Sequence, residues 1–269
     1  MFSEPLPESI DIDDTKIEFA RLGAGRKLLY LHGCDGVDTA DPFLEPLSRQ
    51  FDVLAPSLPG FGASDLPKSL SNIEDLSYFI MELAERLDLS DCVLVGSSFG
   101  GWAAAELATK RSGRFSHLIL ADALGARFSA DPAEVEIKDI FTVPGPDLPA
   151  LLFSDPAKAR EAFGDLDFVK LPETAALRYC RNREALTLFG WAPLLNNPAL
   201  RSRLHRIDMP TLVLWGEDDA IASPGYGRLF ADAIPGAVFE SVPSAGHYLP
   251  MEQPDVFGRK VIAFAGAAA

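Results

Sequence analysis

Short apolar runs alternate with amphipathic segments along most of this chain. Six of these runs have the length of buried strands, and they lie at residues 27–31, 53–55, 92–95, 118–121, 211–215 and 238–242. Several are almost continuously apolar instead of alternating with polar residues. That pattern is typical of strands in a parallel sheet that is covered on both faces.

Helical patterns occupy the segments between these runs. Residues 71–87 open with Ser71 and Glu74 at capping-box spacing and continue with apolar residues three and four positions apart. Three further helices are predicted, at residues 99–110, 224–233 and 254–264. Strands that alternate with helices predict right-handed crossovers and an open, mostly parallel α/β sheet.

This alternation stops between residues 127 and 204, where prolines separate short helical pieces and no strand pattern occurs. The segment is rich in large apolar side chains: Phe141, Leu151, Leu152, Phe153, Phe163, Phe168, Tyr179, Leu186, Phe189 and Trp191. Such an excursion is too long for a connecting loop. We predict a helical cap at 127–204, inserted into a core formed by 1–126 and 205–269. A separate helical domain is the alternative, but strand-like sequence resumes at once at residue 211.

Charge and cysteine content bear on partners and location. The chain has 39 acidic and 24 basic residues and a formal net charge of −15, which disfavours nucleic acid and anionic membranes as partners. The N-terminus lacks the features of a signal peptide, and no apolar run approaches the roughly 18 residues of a membrane span. Cys34, Cys92 and Cys180 cannot all pair, so we expect reduced thiols and a cytoplasmic location.

A G-x-S-x-G motif at residues 96–100 supplies the candidate nucleophile, Ser98. It follows the predicted strand 92–95 and precedes a predicted helix, which is the setting of a nucleophile elbow. Glycine suits the tight turn and the close approach of neighbouring backbones. The turn would raise the Ser98 hydroxyl above the sheet and aim the helix N-terminus at a developing oxyanion. A purely structural glycine-rich turn is the alternative.

A serine hydroxyl needs a base to accept its proton. Of the four histidines, His247 lies just after the last predicted strand, where a loop can return over the sheet edge. His117 begins a predicted strand, and His205 lies among arginines at the end of the cap, so both are expected to be structural or exposed. His247 is therefore the predicted general base.

The carboxylate that orients the histidine should lie between serine and histidine in chain order. Three candidates, Glu217, Asp218 and Asp219, follow the predicted strand 211–215. We predict that Asp219 is the acid and that the other two are solvated loop charges. Asp122, which follows an earlier predicted strand, is the alternative.

An oxyanion hole requires two backbone N–H groups that point at one position. One is expected from Phe99, next to the nucleophile, and the other from the loop after an early strand. The sequence His32-Gly33-Cys34 follows the run 27–31, so the Cys34 N–H is the predicted second donor. His32 is expected to hold the shape of this loop. The Cys34 thiol is not required as a nucleophile, because Ser98 already has a base.

Five pieces occur in a fixed order: His32-Gly33, a Pro-Gly-Phe-Gly-Ala-Ser sequence at 59–64, the Ser98 elbow, the turn at 216–219 and Gly246-His247. Together they resemble the α/β-hydrolase superfamily from about residue 16 to 264. The resemblance implies an eight-stranded, mostly parallel sheet with helices on both faces and the cap between strands six and seven. It also implies no cofactor and no metal.

Two positions refine the resemblance. Relatives often have aspartate where this chain has Ser57, two residues before the Pro-Gly pair, which puts the rigidity of that loop in question. Relatives that open epoxides or remove halides use aspartate at the nucleophile position, so Ser98 disfavours both activities.

These features predict hydrolysis of a small or medium carboxylic ester through an acyl-enzyme, with a small-molecule substrate as partner. The aromatic cap suggests a partly enclosed apolar pocket, for which Phe141, Trp191 and Phe99 are candidate lining residues and core packing is the alternative. A rival activity, cleavage of a C–C bond in a diketone ring-fission product, would use the same triad. A non-catalytic ligand-binding receptor is the second rival, and a homodimer is compatible with the sequence.

Overall fold

An eight-stranded sheet forms the framework of the chain in a computed structural model that describes residues 6–131, 133–163 and 171–266. The strands are β1 (Glu8–Ile12), β2 (Thr15–Leu22), β3 (Arg26–Leu31), β4 (Phe51–Pro56), β5 (Cys92–Ser97), β6 (Phe115–Ala121), β7 (Thr211–Gly216) and β8 (Val238–Val242). Their order is β1-β2-β4-β3-β5-β6-β7-β8. The pairs β1–β2 and β2–β4 are antiparallel, and all the others are parallel. This confirms the predicted mostly parallel α/β sheet.

The six predicted runs correspond to β3–β8, but their pattern did not reveal β1 and β2. Every residue of β5 is buried, as expected for a central parallel strand, whereas β1 and β2 mix buried and exposed residues at the antiparallel edge. A half-exposed edge strand contributes no continuous apolar run, so only the family resemblance indicated eight strands.

Helices cover both faces of the sheet. They are α1 (Leu44–Ser48), α2 (Ile73–Arg86), α3 (Phe99–Ala108), α4 (Pro149–Leu152), α5 (Pro156–Phe163), α6 (Glu173–Gly190), α7 (Leu200–Arg203), α8 (Pro224–Asp232), α9 (Leu249–Glu252) and α10 (Pro254–Ala265). Successive strand residues point to opposite faces. Accordingly, Leu28 and Tyr30 of β3 join a core with α1 and α10, while Leu29 and Leu31 join a second core with α2, α3 and α8.

The segment between β6 and β7 holds α4 to α7, which confirms a helical insertion after the sixth strand. In the part of this segment that the structure describes, the only strand-type pairing is an isolated bridge between Gly125 and Asn196. Pro132 and Phe168, which the sequence assigned to the cap, lie outside the described residues. The division into 1–126, 127–204 and 205–269 stays a prediction.

The start of α2 differs from the predicted capping box. Asn72, not Ser71, is the N-cap, and its side-chain oxygen accepts the N–H groups of Glu74 (2.9 Å) and Asp75 (3.0 Å). Asp75 in turn accepts the backbone N–H of Ser71 at 3.0 Å. The helix therefore begins one residue later, because the asparagine oxygen reaches two free N–H groups of the first turn.

No helix among the described residues combines the length and the apolar character needed to cross a membrane.

Candidate active site

Ser98 lies at a sharp turn between β5 and α3. Its φ of 53° and ψ of −117° are unfavourable for a residue with a side chain, so the surrounding structure must hold it in place. Side chains at Gly96 and Gly100 would overlap the Gly100 and Leu31 carbonyl groups, which explains both glycines of the motif. The Ser98 N–H donates to the carbonyl of Ala121 on the neighbouring strand at 2.9 Å.

Three side chains that the sequence singled out meet in a chain of hydrogen bonds. Ser98 Oγ lies 2.8 Å from His247 Nε2, and His247 Nδ1 lies 2.8 Å from Asp219 Oδ2. All three residues are buried. The carboxylate can only accept, so Nδ1 carries the proton and Nε2 is free to accept from the serine hydroxyl. This is the arrangement that makes a serine nucleophilic.

Two backbone N–H groups that follow Asp219 in the chain fix its position. Its second oxygen, Oδ1, accepts the N–H groups of Ile221 (2.8 Å) and Ala222 (3.0 Å), which leaves Oδ2 for the histidine. The neighbouring acids contact serine hydroxyls instead: Asp218 accepts from Ser154, and Glu217 accepts from Ser241. The structure thus brings one of the three candidate carboxylates to His247.

Asp122, the alternative acid, is fully buried at the end of β6. Its Oδ1 accepts the Gly216 N–H at 2.7 Å, so it holds the end of β7. Burial and the negative charge of Asp219 raise the pKa of the Asp122 carboxyl well above its ordinary value. Through its bond to the Gly216 N–H, Asp122 braces the turn that carries Asp219.

The loop after β3 lies over the nucleophile. A side chain at Gly33 would come within 3.4 Å of Ser98 Cβ, so the backbone leading into Cys34 passes beside the reacting hydroxyl. His32 Nε2 accepts the Leu58 N–H at 2.9 Å, and its Nδ1 lies 2.7 Å from the Gly33 carbonyl. Burial lowers the pKa of His32 to about 4. A neutral imidazole therefore holds this loop, while the roles of the Cys34 and Phe99 N–H groups stay predictions.

Cys34, Asp35 and Tyr248 form a buried polar cluster beside this loop. Tyr248 OH donates to Asp35 Oδ2, and Cys34 Sγ lies 3.0 Å from Tyr248 OH. Burial and the charge of Asp35 raise the pKa of the Cys34 thiol well above its usual range. The thiol stays protonated, so it is a poor nucleophile. The cluster joins the loop after β3 to the loop that carries His247.

Glu252 is a buried residue whose importance the sequence analysis missed. Its carboxylate accepts the N–H groups of Gly246 (2.6 Å), Ser154 (3.1 Å) and Asp155 (2.7 Å). It thereby ties the residue before His247 to the part of the cap segment between α4 and α5. The only signal in the sequence is a glutamate among apolar residues near the end of the chain, which reads equally well as a surface charge.

A model of the alpha/beta hydrolase family matches residues 28–259, a span that includes Ser98, Asp219 and His247. The chain belongs to the alpha/beta hydrolase family. This membership supports an enzyme of the hydrolase type.

Two curated relatives of this hydrolase show how varied its family is. The dihydrolipoyllysine-residue acetyltransferase component of an acetoin cleaving system from Cupriavidus necator is 28% identical, over 92% of this chain and 66% of that protein. The present chain thus spans just under two thirds of that longer relative. A pimeloyl-[acyl-carrier protein] methyl ester esterase from Nitrosospira multiformis is 27% identical, over 91% of this chain and 96% of that protein.

The fold of the hydrolase also matches solved structures over their full length. An S103A mutant of a meta-cleavage product hydrolase from Pseudomonas fluorescens IP01 superposes with a TM-score of 0.79. That comparison covers 98% of this chain and 99% of the other, at 22% sequence identity. The likeness is one of fold.

The candidate pocket residues of the hydrolase lie in different environments. Phe99 is buried and stacks on Phe189 of α6, with ring centroids 6.1 Å apart. Phe141 is partly buried, and its ring lies edge-on to Trp191 at 5.4 Å. Trp191 itself is 56% exposed. Stacking accounts for part of the surface of each ring, and a role in a substrate pocket stays a prediction.

The remaining histidines lie away from the serine. His117 Nδ1 is 3.1 Å from Arg26, and its ring contacts Phe264, while His205 is exposed at the end of the cap segment. Within the described residues, no group of three or more His, Cys, Asp or Glu side chains is arranged to hold a metal ion.

Proposed function

We propose that this hydrolase cleaves a small or medium carboxylic ester through an acyl-enzyme on Ser98. The observation that carries the proposal is the hydrogen-bonded chain from Ser98 Oγ through His247 to Asp219, built on a turn with a positive φ. A serine held in that conformation and paired with a buried imidazole serves nucleophilic catalysis better than it serves stability.

The proposed reaction begins at the hydrogen bond between Ser98 and His247. His247 Nε2 takes the Ser98 proton as Oγ attacks the ester carbonyl, and Asp219 stabilises the imidazolium that forms. The Cys34 and Phe99 N–H groups are proposed to bind the oxyanion. His247 then protonates the leaving alcohol, and a water molecule that it deprotonates releases the acid.

The methyl ester esterase at 27% identity supports an ester as the scissile group. Cleavage of a C–C bond in a ring-fission diketone is the second candidate, since the same three side chains can carry it and the meta-cleavage product hydrolase shares the fold. At 22% identity that likeness does not favour its substrate over an ester. The two candidates differ in the bond that breaks, so a direct assay separates them.

The decisive experiment compares three forms of the protein on p-nitrophenyl esters of different chain lengths, a lactone and a ring-fission diketone. The forms are the wild type, Ser98→Ala and Ser97→Ala. The motif contains two adjacent serines, so Ser97→Ala is a matched control of equal size and location. We expect Ser98→Ala to lose more than about 1,000-fold in kcat/KM and Ser97→Ala to stay close to the wild type.

A fluorophosphonate probe with mass spectrometry checks the nucleophile independently of substrate. The probe should modify Ser98 in the wild type and in Ser97→Ala, and modify nothing in Ser98→Ala. Ester turnover that survives in Ser98→Ala would refute the proposal. A wild type that cleaves the diketone but no ester would favour the second candidate. A wild type that turns over none of the substrates and shows no burst with any activated ester would favour a ligand-binding receptor.

A further inference from the structure

Three polar side chains of α6 contact the α/β core from positions i, i+3 and i+4; the first and last are buried and the middle one is exposed. They are Arg178, Arg181 and Asn182, and each reaches backbone groups of loops that belong to the α/β core. Residues at this spacing share one helix face. In the sequence, polar residues at this spacing look like the solvated face of a helix, so the pattern does not predict these contacts.

Asn182 connects two core loops at once. Its Oδ1 accepts the Gly62 N–H at 2.8 Å, and its Nδ2 donates to the Asp35 carbonyl at 2.6 Å. The residue is 2% exposed, so water does not compete for either bond. The two partners fix the amide orientation, because the flipped amide would set donor against donor and acceptor against acceptor.

Two glycines let these loops approach Asn182. Gly36 has a φ of +85°, and a side chain there would come within 3.0 Å of Asn182 Nδ2. Gly62 has a φ of +55°, and a side chain there would overlap the Glu18 carboxylate. Both positions therefore require glycine for backbone conformation and for space.

The loop at 59–64 has supports of its own. Glu18 Oε1 accepts the Ser57 hydroxyl (2.9 Å) and the Ala63 N–H (2.8 Å). Arg181 donates to the carbonyls of Gly62 (2.9 Å) and Ser64 (2.7 Å). Ser57, which stands where relatives often have aspartate, therefore contributes its hydroxyl to a buried network that holds the loop. Asn182 therefore binds a loop that other hydrogen bonds already hold in place.

The loop after β3 depends more directly on Asn182. The Asp35 carbonyl that Asn182 holds lies one residue beyond Cys34, the proposed oxyanion donor. The Asp35 side chain is held from the other side by Tyr248, which follows His247 in the chain. Asp35 is thus fixed between the cap segment and the histidine loop, and the Asn182 bond is its anchor to the cap.

We propose that Asn182 is a positioning residue that sets the oxyanion hole by tying the Asp35 carbonyl to the rigid loop at 59–64. This inference rests on the proposed serine-hydrolase function. Displacing a catalytic group by about 1 Å costs about 100-fold in rate, so a small rotation of the Cys34 peptide is enough to weaken the oxyanion contact. The cap helix α6 then takes part in catalysis as a fixed support for the transition state.

Asn182→Asp tests this with almost no change in shape. The carboxylate still accepts the Gly62 N–H, but it sets an oxygen against the Asp35 carbonyl in place of the donor. We expect kcat for a p-nitrophenyl ester to fall about 10- to 100-fold, with KM changed by less than about 3-fold. The inhibition constant of a trifluoromethyl ketone, whose adduct places an oxyanion in the hole, should rise by the same factor as kcat/KM falls.

Arg181→Gln is the control on the same helix, because Arg181 contacts the 59–64 loop, which Glu18 still holds through Ser57 and Ala63, without reaching the loop after β3. Its kcat should stay within about 2-fold of the wild type. Asn182→Ala, checked for a cooperative melting transition, is the second variant if the buried aspartate prevents folding. It should show the same loss of kcat and of ketone binding.

The outcomes separate this inference from the function on which it rests. If the wild type turns over esters and Asn182→Asp and Asn182→Ala match it in kcat and ketone affinity, the positioning role is wrong and the function stands. An equal loss in Arg181→Gln would also overturn the inference, since the effect would then belong to the 59–64 loop. A wild type without turnover or probe labelling overturns both.

Discussion

His247 Nδ1 lies 2.8 Å from Asp219 Oδ2, whereas the Asp122 carboxylate at the end of the neighbouring strand receives the Gly216 N–H. The two acids therefore have different hydrogen-bond partners although both are buried near the same sheet edge. We expect Asp219→Asn to lower kcat/KM about 1,000-fold or more, because an amide in place of the carboxylate stabilises no imidazolium and favours the wrong imidazole tautomer.

Asp122→Asn is the control for that measurement. Burial and the charge of Asp219 raise the pKa of Asp122, so an uncharged amide of the same shape is a close substitute for its carboxyl group. Its oxygen can still accept the Gly216 N–H. Ester assays should show kcat/KM within about 5-fold of the wild type. A loss as large as that of Asp219→Asn would make Asp122 the orienting acid.

Glu252→Gln should damage both stability and turnover. One carboxylate oxygen becomes an NH₂ group facing the backbone donors of Gly246, Ser154 or Asp155, which leaves at least one buried N–H unpaired. We expect the free energy of unfolding in urea to fall by about 2 kcal/mol and kcat to fall with the displacement of His247. Glu240→Gln, which loses only a part-exposed ion pair with Lys260, is a control that should leave kcat unchanged and change the free energy of unfolding by less than about 1 kcal/mol.

His32 gives the stability a defined pH dependence. Burial lowers its pKa to about 4 in the folded protein, while the unfolded chain has the ordinary value of 6.5. Between pH 6.5 and 4 the unfolded state binds a proton that the native state does not, so His32 lowers stability as pH falls through this window. Across this window His32 lowers the free energy of unfolding by about 3 kcal/mol. Urea unfolding of the wild type and His32→Gln at pH 4 to 7.5 should show a steeper decline for the wild type.

Asp41 contributes with the opposite sign. Burial, with a smaller effect of Asp38, raises its pKa from 3.8 to about 7, so the native state retains a proton that the unfolded state has lost. Its burial therefore costs stability increasingly as pH rises from 4 to 7. Because Asp41 keeps partial contact with solvent, we expect the free energy of unfolding to fall by about 2 kcal/mol over this range.

The test is Asp41→Asn, which keeps an acceptor for the Asp38 N–H at 2.9 Å. The free energy of unfolding of the variant relative to the wild type should increase between pH 4 and 8. A difference that stays constant over this range would show that Asp41 is ionised throughout, as a solvated surface acid would be.

Ser98, His247 and Asp219 could be selected from the sequence because each follows a predicted strand within a few residues. Carboxyl ends of parallel strands meet at one sheet edge, so chain order and strand position suffice to place such side chains together. The sequence favoured Asp219 and kept Asp122 as the alternative, because both follow strands. Of these two acids, the structure places Asp219 in contact with the histidine. The N–H groups of Ile221 and Ala222 fix the turn that carries it.

By itself, the sequence determined the α/β framework, the helical insertion and the three residues of the candidate site, since all of these follow from local patterns and strand ends. It did not determine Glu252, Tyr248 or Asn182 as supports of that site. Most of the groups that these side chains contact lie far away in the chain, and the type of a polar residue does not show whether it is buried. Only tertiary packing decides which polar side chains lose their water, and therefore which ones hold the loops around Ser98.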